Sequence, residues 1–171
     1  MKGMKLAGMA ISLLMIWTGP KGSAWEIGTR RTAEGGVETK TAELLPNRKG
    51  EDGRRLLFKF RAVRYADGGY GLKVYTTLDN KALYVIVPGL TLELEDGGSV
   101  VLRPEADGFD HWGAGEWYNA EFRLDDAVAE RLRESDVVRI TIADRDGLLT
   151  NDIPGRRQGL LSEAIEAVAE E

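Results

Sequence analysis

The amino-acid sequence predicts a mainly β fold, an antiparallel β-sandwich or partly open barrel of seven to nine strands. One short helix is inserted between strands and an amphipathic helix closes the chain. Three observations carry this reading. Apolar and polar residues alternate over short stretches, as at Leu56, Phe58, Phe60 and Ala62 against Lys59 and Arg61, and a period of two sorts side chains to opposite faces of a strand. Three turns are written acid-Gly-Gly, beginning at Glu34, Asp67 and Asp96, where glycine supplies the positive φ that tight hairpins need. Apolar residues recur at helical spacing in only two stretches, after Asp125 and after Gly159.

At the N-terminus, Lys2 and Lys5 precede the uncharged run Leu6 to Trp17, and Gly22-Ser23-Ala24 follows a Thr-Gly-Pro breaker. A basic segment, an apolar core and small residues before a cut site form a secretory signal, so cleavage is expected after Ala24. The run Leu6 to Trp17 would make a helix of ~18 Å against ~30 Å of hydrocarbon, too short for a stable span. The expected mature domain is residues 25–171, periplasmic or extracellular.

Within it, Trp25 to Thr32 and Val37 to Leu44 flank the first acid-Gly-Gly turn as an outer hairpin, and Leu45 to Arg54 has loop composition. Arg55 to Tyr65 and Tyr70 to Leu78 form the next hairpin. Leu83, Val85 and Val87 oppose Tyr84 and Ile86, so this strand is apolar on both faces and is expected at the centre of the fold. Leu90, Leu92 and Leu94 alternate with Thr91, Glu93 and Glu95, and the turn at Asp96 returns the chain through Val100 to Leu102.

After a glycine-broken loop, Tyr118, Ala120, Phe122 and Leu124 alternate as a strand. Asp125 then caps a helix carrying Asp126 in its first turn and Arg131 and Arg133 in its last, the polarity a helix dipole favours. Val138, Ile140 and Ile142 make another strand, Thr150 to Gln158 reads as a polar connection, and a helix at about 158–170 gathers Leu160, Leu161, Ala164, Ile165 and Val168 on one face. The segment YNAEFRLDDAVAERLRESDVVRI resembles a layout found in small exported bacterial β-sandwich proteins of unknown function. That resemblance implies the fold and export, and no activity.

Composition excludes several chemistries. Cysteine is absent, which removes disulfides, thiolate metal sites and thiol nucleophiles, and a single histidine removes two-histidine mechanisms. The net charge is −5; the leader holds three lysines and no acid, so its removal leaves 20 basic and 28 acidic side chains and a charge of −8. An anionic domain is a poor partner for nucleic acid. No cofactor fingerprint, phosphate loop or nucleophile elbow occurs.

The richest loop runs from Asp107 to Tyr118, and Asp107, Phe109, Asp110, His111, Trp112, Glu116 and Trp117 are the candidate ligand-binding residues. Aromatic faces beside carboxylates can stack on a sugar or clasp a peptide while the acids accept its hydrogen bonds. The same acids and His111 could ligate a metal, or a carboxylate could orient His111 as a general base, or the rings could simply plug the end of the sandwich. Asp144 to Gly147 with Asn151 and Asp152 is oxygen-rich, yet it departs from a calcium loop in the placing of its glycine and lacks the closing glutamate. The basic pairs, Arg156-Arg157 among them, read as surface residues. The expected function is a non-enzymatic binding module of the bacterial envelope, contacting another protein or a small polar ligand. The alternatives are a hydrolase or metal enzyme using the Asp107 to Glu116 loop, and a structural subunit docking through the C-terminal helix.

Overall fold

The computed structural model describes residues 27–50, 53–82, 89–104, 111–113, 116–144 and 147–171. The two-sheet antiparallel architecture is present. The larger sheet holds β1 (Thr29–Arg31), β2 (Val37–Thr39), β3 (Ala42–Lys49), β4 (Arg55–Arg64), β5 (Tyr70–Leu78), β6 (Lys81–Ala82) and β11 (Ala120–Leu124), ordered β1-β2-β4-β5-β11. Strands β2 and β3 lie end to end along one side of β4, while β6 pairs with β5 on its other side. The smaller sheet is ordered β13-β12-β7-β8, from β7 (Leu90–Leu94), β8 (Ser99–Leu102), β12 (Val137–Asp144) and β13 (Gly147–Asp152). A separate hairpin joins β9 (His111–Gly113) to β10 (Glu116–Tyr118). Among the described residues neither sheet closes on itself, so the body is an open sandwich.

The alternation read from the sequence decides what lies between the layers. Leu56, Phe58, Phe60 and Ala62 of β4, Leu72 and Val74 of β5 and Ala120 and Phe122 of β11 form the inner face of the larger sheet. From the smaller sheet come Leu90, Leu92, Val100, Ile140, Ile142 and Leu149, and all join one apolar cluster. Burying a side chain of this size stabilises by roughly 1.5–3 kcal/mol.

Helix α1 (Asp126–Glu134) begins as expected, with the Asp125 carboxylate accepting the Val128 N–H at 2.7 Å. Helix α2 (Leu160–Ala169) packs on α1 and on β2, β3 and β4, and its whole apolar stripe, Leu160, Leu161, Ala164, Ile165 and Val168, is buried in the same cluster. That stripe is spent within the domain, so it leaves no apolar face with which to dock elsewhere.

The hairpin chemistry repeats. At Thr32, Tyr65 and Leu94 the turn carbonyl accepts from Gly35, Gly68 and Gly97, each with φ between 83° and 88°. The amide of the same residue donates to the carbonyl of the next glycine, Gly36, Gly69 or Gly98, the pattern of a type I turn followed by a left-handed bulge residue. A fourth copy at Gly50 to Arg54, with Gly53 at φ 78°, joins β3 to β4.

Two expectations meet a different outcome. Residues 45–49, expected as loop, continue β3, because an edge strand tolerates Pro46 where no ladder bond is needed and two register shifts absorb the misfit. Residues 150–152, expected as connection, complete β13, whose pairing with β12 owes nothing to an apolar repeat. Segment 83–87, expected at the centre, lies outside the described residues; among the described strands the middle positions belong to β4 and β5 in one sheet and to β12 and β7 in the other.

Candidate functional site

Of the residues singled out from the sequence, Asp107, Phe109 and Asp110 lie outside the described residues. The backbones of the other four come together in the β9–β10 hairpin, where Trp112 pairs with Trp117, His111 with Tyr118 and Gly113 with Glu116. The hairpin is carried against β5, and it hands the chain to β11 through Asn119. The Asn119 amide donates to the Thr76 carbonyl and its oxygen accepts the Thr76 N–H, both at 2.9 Å, while its own N–H donates to Val74. A buried side chain thereby replaces one rung of the β5 ladder. Among the described residues no cluster of three metal-ligating side chains occurs.

A concavity among the described residues lies elsewhere. A groove of about 520 Å³ opens where the two sheets part, between the end of β3 and the end of β13. This volume falls within the range of small-ligand sites. Leu45 and Arg48 of β3 pair with Phe58 and Leu56 of β4, so they share the inner face, and Leu45 and Leu56 form an apolar floor over which Arg48 stands exposed. Pro46 and Pro154 also line the groove, and Thr150, Asn151 and Asp152 line it from β13.

Two other arginines at this end are already engaged. Arg139 donates from Nε to Asp152 at 2.6 Å and from Nη1 to Glu93 at 3.3 Å. Arg157, expected from the sequence at the surface, is buried; its Nη1 donates to the Glu43 backbone oxygen and lies 3.0 Å from the Glu43 carboxylate. That bond fastens the Gly155–Arg157 3-10 turn to β3 and so fixes the Pro154 wall of the groove. Among the described residues no carboxylate pairs with Arg48 or its neighbour Lys49.

A second charged cluster lies on the outer face of the larger sheet. The Glu38 carboxylate is 1% exposed and is held by Arg30, by Arg61 at 3.2 Å and by Lys73 at 3.4 Å. Beside it the Tyr65 hydroxyl donates to Glu121 at 2.6 Å, its ring lies over Gly71, and Arg123 stacks on that ring 4.3 Å from the centroid. Arg123 also pairs with Asp67, whose carboxyl is held below its ordinary value chiefly by the Gly69 N–H and then by Arg123. With three cations around one buried acid, this cluster pins β1, β2, β4 and β5 together.

The groove had a faint signal in the sequence. A proline followed by Asn47, Arg48 and Lys49 reads as loop, and only the bulged pairing of β3 turns Arg48 toward the space between the sheets. Compared with known protein families, curated proteins and solved structures, the chain matches none. No helix among the described residues is long and apolar enough to cross a membrane.

Proposed function

We propose that this chain is an exported, non-enzymatic binding module whose ligand enters the groove between β3 and β13 and presents an anionic group to Arg48. The observation that carries the reading is the contrast among the cations there: Arg139 and Arg157 are matched by carboxylates, while Arg48 stands over an apolar floor with none among the described residues. A guanidinium presents a planar fork suited to a carboxylate, and an apolar floor favours a ligand with an apolar body. Export rests on the leader-like residues 1–24.

N-acetyl-leucine, with one free carboxylate and one apolar side chain, is a suitable probe. Titrated into the labelled protein, it should shift the amide resonances of Arg48, Asn151 and Asp152. Arg48→Gln should weaken binding at least tenfold, since a hydrogen bond to a charged group contributes about 1.5–3 kcal/mol. Equal binding by wild type and Arg48→Gln would defeat the proposal.

A further inference from the structure

We infer that the ligand of this groove is an extended peptide segment that adds to β13 as a new edge strand. The inference rests on the groove reading above and specifies its occupant. The Ile153 N–H donates to the Val138 carbonyl, which fixes the phase of the β12–β13 ladder. In that antiparallel register Gly147, Leu149 and Asn151 bond to β12, so the N–H and C=O groups of Leu148, Thr150 and Asp152 point away from it. The 3.0 Å contact between the Thr141 and Thr150 hydroxyls agrees, because side chains approach most closely at the pairs that are not hydrogen-bonded. Among the described residues no strand pairs with this outward side.

The two walls of the groove are treated differently. Strand β3 carries the protections typical of an edge: Pro46, two register shifts, and the exposed cations Arg48 and Lys49. Strand β13 has none of these. Its pairing with β12 runs without a shift over its whole length, it contains no proline or lysine, and Leu148 projects 73% exposed. An unguarded, regular edge facing a groove is suited to accept a strand, with backbone bonds giving affinity and alternate side chains giving selectivity. Residues of the incoming strand opposite Leu149 and Asn151 would face the apolar floor, and a carboxylate among them would reach Arg48. The peptide class is therefore apolar on its inward positions with an acid in reach of the guanidinium.

The probe is an acetylated, amidated hexapeptide with valine at two of its three inward positions, glutamate at the third and threonine at the outward positions, added to the full chain. Two N-methylated versions carry the methyl groups on one or the other set of alternate amides. The expected result is slowed exchange of the Leu148, Thr150 and Asp152 amides. One methylated set should lose binding at least tenfold and the other stay within twofold. Equal binding of both sets, with exchange of those amides unchanged, would overturn strand addition while leaving the groove reading intact. Strand addition also fails, and the groove reading stands, if N-acetyl-leucine binds through Arg48 and the hexapeptide does not bind. Failure of both probes would overturn both readings. Protection of those amides that grows with protein concentration in the absence of peptide, with a doubled mass, would assign the edge to a second copy and overturn the peptide.

Discussion

Replacing Glu38 by glutamine tests how the larger sheet is held together. The carboxylate is 1% exposed and faces three cations, and at an effective permittivity near 20 each contact of ~3 Å carries roughly 5 kcal/mol of attraction before desolvation is subtracted. Desolvating the acid offsets several kcal/mol of this, and removing one partner from a fully buried pair costs about 3–5 kcal/mol. The cations here are only partly enclosed: Arg61 and Lys73 are 16% exposed and Arg30 is 47% exposed, so each can regain some water once the acid is gone. The expected loss for Glu38→Gln is therefore about 2–3 kcal/mol. Arg30→Ala should cost under about 1 kcal/mol, as for other half-exposed ion pairs. Urea denaturation at constant slope measures both, and raising the salt should reduce the Arg30 effect more than the Glu38 effect. A Glu38→Gln protein within about 0.5 kcal/mol of wild type would refute the reasoning, as would an Arg30→Ala protein equally damaged.

Three further outcomes follow from other parts of the fold. Ile165→Ala should lower stability by about 2–5 kcal/mol with an unchanged urea slope, because Ile165 is 1% exposed within the core; a loss under about 1 kcal/mol would mean that α2 does not pack there. Asn119→Ala should cost about 2–4 kcal/mol by leaving both backbone groups of Thr76 without partners, and amide exchange should quicken at Thr76. Asp67 should titrate below its ordinary value of 3.8, as followed by the side-chain carboxyl resonance. Since its folded value is depressed, its contribution to stability is present above 3.8 and is lost as pH falls through the folded value; Asp67→Asn should abolish that part of the acid dependence.

How much of this was legible in the sequence differs from residue to residue. The hairpin of β4 and β5 was plain because Leu56, Phe58, Phe60 and Ala62 and then Leu72 and Val74 mark one face without interruption. The Asp125 cap and the α2 stripe were equally plain, because both depend on spacings within a single turn or two. Strand β13 left no such mark: only Leu149 enters the core cluster, and its other residues are strand because β12 supplies hydrogen-bonding partners. Glu38, Arg157 and Asn119 carried no local signal either. Each is a polar residue whose burial depends on partners 8 to 114 positions away along the chain.

The sequence by itself determined the β class, the turns at three of the four bulged hairpins and the two helices, since periodicity and glycine placement act over a few neighbouring residues. Only the tertiary structure decided which strands share a sheet, that Arg157 is buried and that Arg48 overlooks a groove. Those outcomes arise where distant segments meet, and their energy lies in pairings and desolvation that no short window of residues contains.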